Sequence, residues 1–341
     1  MKNFCNKLVV CAALAMMSTA WAQTLEQVVA TYKKNDMAGA LAGFGKLAAT
    51  GDSNAQYMLG VMHAVGQGTP VDAKLAVLWF RKAAEQGHAA AQSNLGSMLK
   101  NGIGAAKDEA QAFELFRKSA EQGWAGGQYN LSIQYFTGSG VKRDLTQAFS
   151  WALKAAEQGD EKAQFNLANL YFEGQGTAKD EKAGLAWLLK SATAGHAGAQ
   201  HNLGVMHAAG DGVPNDIKQS VIWYHKAAAQ GYPDSQNNLG SIYLKGEGVV
   251  KDEKEGVKWY RKSAEQGFAE AQAGLGYAYI AGAGVPANPE TAYFWWLQAS
   301  AQGNKRGISN RQRVEPMLSP AQRAKVQALA SAWKPGMPSP Q

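Results

Sequence analysis

Cysteine is nearly missing from this chain. Only Cys5 and Cys11 occur among 341 residues, and both lie within the first 22. The remainder can form no disulfide, so packing alone must hold it together. Long apolar runs are missing too. The run from Leu8 to Met17 has about ten residues, where a membrane-spanning helix needs about 20; no transmembrane segment is expected. No Gly-Lys-Ser/Thr follows any Gly-x-Gly triplet, as a phosphate loop would require. No serine sits in a Gly-x-Ser-x-Gly elbow, and no two of the six histidines have the i,i+4 spacing of a helical zinc site. These absences argue against catalysis, and no metal or cofactor is expected.

The first 22 residues read as a removable address. Lys2 and Lys7 precede or flank the start of the apolar run, and Ala20-Trp21-Ala22 is a small-x-small cleavage signal. The mature chain is expected to begin at Gln23 and to be periplasmic or secreted. Loss of Lys2 and Lys7 lowers the formal charge from +7 to +5. Export takes a protein away from nucleic acid, so no nucleic-acid partner is expected.

What the chain has in abundance is one phrase. Gly recurs at 51, 87, 123, 159, 195, 231, 267 and 303, always 36 residues apart. Gln56, Gln92, Gln128, Gln164, Gln200, Gln236 and Gln272 keep the same period, as does the leucine series from Leu59 to Leu275. A fixed period of this length marks a stacked solenoid. In the first copy Ala55, Leu59, Met62 and His63 trace one helical face. Tyr135, Tyr171, Tyr243 and Tyr279 replace His63 in later copies. Gly60, Gly96, Gly204, Gly240 and Gly276 weaken their helices but admit a close neighbour. A Gly-x-Gly triplet such as Gly66-Gln67-Gly68 ends the helix with a left-handed residue.

The second helix starts at Asp72, Asp108, Asp144, Asp180, Asp216, Asp252 or Asn288, all N-cap types. Gln111, Gln147, Gln219 and Glu255 stand three residues later, the capping-box spacing. An aromatic column follows: Trp79, Trp151, Trp187, Trp223, Trp259 and Trp295. This column is expected to fill the seam between helices. Lys82, Lys118, Lys154, Lys190, Lys226 and Lys262 come near the helix end, where a cation suits the dipole.

These residues resemble the Sel-one-like repeat family, a branch of the tetratricopeptide-like solenoids. The pattern A-Q-x-x-L-G-x-x-Y-x-x-G-x-G-V-x-x-D-x-x-K-A-x-x-W-x-x-K-A-A-E-Q-G runs nearly intact through residues 236–266. The resemblance implies an all-α fold: an α/α superhelical solenoid of about seven 36-residue helix-turn-helix repeats. The expected divisions are a signal peptide at 1–22, an N-terminal capping pair at 23–50 and seven repeats at 51–302. C-terminal capping helices at 303–333, opened by Ser319-Pro320-x-Gln322 for the last of them, and a flexible tail at 334–341 complete the chain. The resemblance also implies an adaptor whose first helices line a concave groove and bind a protein or peptide. A cysteine-rich branch of the family is linked to penicillin binding, and this chain lacks those cysteines.

Candidate contact residues follow from the groove. Asn94, Asn130, Asn166, Asn202 and Asn238 share one position in successive first helices. They either bond to neighbouring helices or form a ladder for a ligand. The residue before each varies, and with its counterpart in the first repeat the series is Tyr57, Ser93, Tyr129, Phe165, His201 and Asn237. Phe136 and Phe172 lie further along the same helices. The candidate partner-binding set is Tyr129, Asn130, Phe136, Phe165, Asn166, Phe172, His201 and Asn202, with the aromatics expected to be exposed. His88 and His196, after capping glycines, are expected to be solvated. Lys305, Arg306, Arg311, Arg313, Arg323 and Lys325 gather near the C-terminus with Glu315 as the nearby acid. They are a solubilising cap or a weak contact for an anionic surface. Two other classes of function stay open: a cell-wall-related enzyme or penicillin-binding protein, and a basic adaptor for anionic glycan or lipid.

Overall fold

The computed structural model describes residues 19–339. The expected leader lies outside the described residues up to position 18, and the expected cleavage point after Ala22 falls inside the first helix. The described residues form eighteen α-helices and one 3-10 turn, Glu315–Met317, with no strand among them. An N-terminal unit, residues 1–180, holds α1 (Thr19–Lys33), α2 (Met37–Ala49), α3 (Ser53–Val65), α4 (Ala73–Glu85), α5 (Ala89–Asn101), α6 (Glu109–Glu121), α7 (Ala125–Thr137), α8 (Leu145–Glu157) and α9 (Glu161–Glu173). A C-terminal unit, residues 181–341, holds α10 (Glu181–Ala194), α11 (Ala197–Ala209), α12 (Ile217–Ala229), α13 (Pro233–Lys245), α14 (Glu253–Glu265), α15 (Ala269–Ala281), α16 (Pro289–Ala301), α17 (Lys305–Val314) and α18 (Pro320–Ala332). From α3 to α16 odd-numbered helices open a repeat and even-numbered helices close it. First helices of successive repeats pack on one another, α5 on α7 in the first unit and α13 on α15 in the second, where α15 also meets α17. The chain is an all-α solenoid of seven helix pairs with terminal helices, as its period requires.

The punctuation is local and falls where expected. Gly66 closes α3 at φ 76°, and Gly68 is also left-handed at φ 72°, a conformation open to glycine at little cost. Asp72, Asp108, Asp144, Asp216, Asp252 and Asn288 each accept the N–H three residues on, at 2.8 to 3.1 Å. The reciprocal half of a capping box is missing at Gln111, Gln147, Gln219 and Glu255. The cap N–H is already used there: Asp108 donates to the Leu99 carbonyl at 3.0 Å, and Asp144 to that of Tyr135 at 2.9 Å. Ser319 and Gln322 do make the complete box.

The two glutamine columns explain each other. Gln86 Nε2 donates to Gln56 Oε1 at 2.7 Å, and Gln122 to Gln92 at the same distance. Gln230 to Gln200 and Gln266 to Gln236 repeat the bond in the second unit. The inner glutamine then donates to the end of the preceding helix, as Gln92 Nε2 does to the Ala84 carbonyl. Each relay satisfies a buried amide and a helix C-terminal carbonyl together.

In the first five repeats the seam is occupied by a different column from the one expected; in the last two, Trp259 and Trp295 are buried as expected. Phe80, Phe116, Tyr224 and Trp296 are buried, whereas Trp79, Trp151, Trp187 and Trp223 are half-buried. The rings of this second column, Tyr260 half-buried among them, lie on the helix glycines. A Cβ added at Gly60, Gly204 or Gly240 would stand 2.5, 2.6 and 2.6 Å from Phe80, Tyr224 and Tyr260 respectively. The outer tryptophans are covered instead by the lysine one turn later. Lys154 Nζ lies 3.8 Å from the Trp151 ring centre, Lys190 3.7 Å from Trp187 and Lys226 4.0 Å from Trp223. The lysine column therefore serves as a cation–π cover as well as meeting the helix dipole. Neighbouring columns stand 100° apart on a helix, and an apolar stripe is at least that wide; periodicity alone could not choose between them.

The ends close on themselves. Leu25 of α1 is buried with Phe44 of α2. The tail from Lys334, expected to fray, is instead folded back as far as Ser339. Trp333 packs edge-on against Phe294 and Trp295 at 6.0 and 5.6 Å. Gly336 N–H donates to the Glu265 carbonyl at 2.8 Å, and Ser339 Oγ to the Glu265 carboxylate at 2.7 Å. Gln298 stands where other repeats carry the covering lysine, so the Trp295 face is open to Trp333.

Candidate functional site

The variable column of the first helices forms a repeated cluster with two residues of the following repeat. Tyr57 stacks on His88 at 4.7 Å with a 20° tilt, and the Asn94 side chain bonds its hydroxyl. Burial pushes the Tyr57 phenol up to about 12, against the opposing pull of Asn94. Asn130 Nδ2 donates to Ser93 Oγ at 3.1 Å. Asn166 bonds Tyr129, whose phenol is pushed up by burial first and by the Asp160 charge second. In the second unit His201 bonds Ser235 Oγ at 2.9 Å and packs against Tyr232 at 5.0 Å. The asparagines of the N-terminal unit thus bond to the preceding first helix. Each amide retains capacity for further bonds.

At His88 and Tyr232 the residue after the capping glycine belongs to this cluster, which sequence reasoning missed. His88 and His196 are not solvated. Each caps its helix, Nδ1 accepting from Ala91 N–H at 3.2 Å and from Ala199 N–H at 3.1 Å. Trp124, Tyr232 and Phe268 occupy the same place without a side-chain cap bond; Tyr232 instead packs against His201 of the variable column.

A cap of this kind is sensitive to acid. A protonated ring has no lone pair on Nδ1 and cannot accept. Burial holds His88 below its ordinary value near 6.5, and burial does the same to His201 and His225. With the folded values depressed, the unfolded chain binds more protons below pH 6.5, so stability is full above that pH and falls as pH drops further. Melting temperature should be flat from about pH 8 to 7 and lower at about pH 5.5. His88→Asn, which keeps a capping side chain as Asn304 does for α17, should reduce the drop. An unchanged drop would remove His88 from the cause.

The structure brings three of the eight candidate residues together. Phe136 and Asn166 line a cavity of about 220 Å³ between α7, α8 and α9, and Tyr129 holds Asn166 in place. Ser132, Ala148, Asn169, Glu173 and Gln175 complete most of its wall. The aromatics Tyr129, Phe136, Phe165 and Phe172 are half-buried rather than exposed. The Arg143 guanidinium lies 5.8 Å from the Phe136 ring, and its Nε donates to the Phe136 carbonyl at 3.0 Å. Asn130 is committed to Ser93 and does not line the cavity; His201 and Asn202 belong to the C-terminal unit. A sequence signal lies beside the cavity: Ala152, and Leu188 one repeat later, interrupt the column of Phe80, Phe116, Tyr224, Tyr260 and Trp296.

The basic C-terminal cluster is more balanced than its sequence indicates. Glu290 of α16 reaches Lys325 at 3.5 Å, and Glu315 reaches Arg323 at 3.9 Å. No helix among the described residues is long and apolar enough to cross a membrane.

Stacked helix pairs with a variable column on one face define an α-helical repeat scaffold of the tetratricopeptide-like kind. The chain belongs to the Sel1 repeat family, whose profile matches residues 53–88, 89–124, 125–160, 161–196, 197–232, 233–268 and 269–304. Sel1 repeats are generally non-catalytic scaffolds that mediate protein interaction. The chain is similar to a Sel1 repeat protein from Oxalobacter formigenes, with 34% identity and a TM-score of 0.66 over 71% of this chain and 99% of that one. It is also similar to c5321, a protective antigen present in uropathogenic Escherichia coli strains and displaying an SLR fold. There the identity is 28% and the TM-score 0.53, over 91% of this chain and 83% of that one. No curated protein matches this chain.

Proposed function

We propose that the protein is an exported scaffold that binds an extended peptide or flexible protein segment along the first helices of its N-terminal unit. The observation that supports this most is the meeting of Phe136, Asn166, Asn169 and Glu173 around one cavity on that face. Half-buried aromatics offer anchors of the kind that dominate interfaces. Asparagine amides with spare capacity can bond a peptide backbone whatever its side chains. Export rests on Lys2, Lys7, the apolar run and Ala20-x-Ala22.

The test is affinity capture from envelope extract by the mature protein. Phe165→Ala with Asn166→Ala should weaken capture by about 2 kcal/mol if the pair is a hot spot, while helicity persists. Capture as strong as wild type by a folded double variant would move the contact elsewhere. Protein isolated from its native host should begin at Gln23; retention of Met1 would overturn the export reading.

A further inference from the structure

The origin of the cavity is visible in the neighbouring repeat. In α6 the Phe116 ring lies against Gly96, and a Cβ on Gly96 would stand 2.8 Å from the ring and 3.2 Å from the Ala112 carbonyl. The ring therefore fills the space bounded by Gly96 and Ala112. One repeat later the counterparts of Gly96, Ala112 and Phe116 are Ser132, Ala148 and Ala152. Ser132 and Ala148 line the cavity. The empty space is the place of an aromatic ring that this repeat does not supply. Its volume of about 220 Å³ is ample for a six-membered ring, since an apolar cavity of about 150 Å³ can take up benzene.

The rest of the wall says which ring. Phe136, Ile133 and Leu170 give apolar sides. Asn169 is half-buried and Glu173 exposed, and both offer acceptor oxygens to a group reaching out of the cavity. We infer that this cavity binds a tyrosine or tryptophan side chain of the partner, the ring replacing the missing Phe116 counterpart and its O–H or N–H donating to Asn169 or Glu173. The inference rests on the peptide-binding reading for the source of the ring, not for its chemistry. Filling the vacated place gains the contacts that an empty cavity forfeits, and a donor that meets an acceptor at the mouth adds orientation.

The experiment uses the full chain and three side-chain analogues: p-cresol, 3-methylindole and toluene, titrated by protein-observed NMR. Saturable binding is expected for the first two, at least fivefold tighter than for toluene. Ala152→Phe with Ser132→Gly restores the pair used by α3 with α4 and by α5 with α6. It should raise the melting temperature and weaken p-cresol at least tenfold. If circular dichroism shows that this variant misfolds, Ala152→Leu, the kind of residue the next repeat carries at Leu188, is the plug to use. Absence of saturable binding by the wild type, or equal binding by a folded plugged variant, overturns the inference. Equal affinity for toluene and p-cresol removes the donor from it. If a captured peptide binds the plugged variant as tightly as wild type, the cavity assignment fails and the peptide reading stands. If the analogues bind and are lost on plugging while no peptide is captured, the reverse holds.

Discussion

Trp295→Ala should lower stability by about 3–5 kcal/mol, the range for truncating a fully buried tryptophan, and Trp187→Ala by much less. Both residues stand in the same column of the repeat. Trp295 is 0% exposed and enclosed by Phe294 and Trp333. Trp187 is half-buried under Lys190, so its removal forfeits part of an indole surface and a cation–π contact worth about 0.5–1 kcal/mol at exposed sites. Loss at Trp295 should also loosen the tail, because Trp333 packs on its ring. Urea unfolding of the two variants beside the wild type decides the matter. Equal losses would mean that the two tryptophans share one environment, against the geometry of the two sites.

Gln134→Leu should stabilise the protein by about 1–3 kcal/mol, the usual penalty for a buried polar group left unpaired. Gln134 is 0% exposed, and neither Nε2 nor Oε1 has a partner. The same place holds Met62, Met98, Leu170, Met206, Ile242 and Ala278 in the other repeats. In the unfolded chain water satisfies the amide; in the fold nothing does. Leucine has similar bulk and removes the penalty without opening a cavity. A shift of the urea midpoint to higher denaturant at constant slope is the expected reading. A lower midpoint would show that the amide has a partner, an internal water included. Gln134 sits on α7, the same helix that supplies Ser132 and Phe136 to the cavity, so a stabilised variant would be a useful host for the binding titrations.

The repeat, its helix boundaries and its caps are legible in the residues alone. Asp72 and its counterparts cap because an aspartate before a helix reaches an N–H three residues away. Gly66 ends α3 because a left-handed residue is needed within one turn. The candidate site is legible only in part. Asn130 and Asn166 stand out as a column, but whether they face a ligand or a helix depends on Ser93 and Tyr129, which lie 37 positions earlier in each case. The expectation of a solvated His88 fails because its capping role and its contact with Tyr57 are invisible in spacing. The contacts of the tail are not legible in the sequence, because Pro335, Pro338 and Pro340 say nothing about an uncovered Trp295.

The sequence by itself determined the period, the order of helices, the turns and the family, since each depends on hydrogen bonds and dihedral angles within a few residues. Only the tertiary structure decided, repeat by repeat, which of two adjacent columns fills the seam. It also decided that lysines cover the half-buried tryptophans, that asparagines tie one first helix to another, and that a ring-sized space lies beside Ser132 and Ala148. Those outcomes depend on distances between side chains about one repeat apart, where a 100° step around a helix turns an inside residue into an outside one. Periodicity reports that a face is apolar; contact with a neighbour decides which residue lies at its centre, and a missing ring becomes a cavity only when the walls around it stay in place.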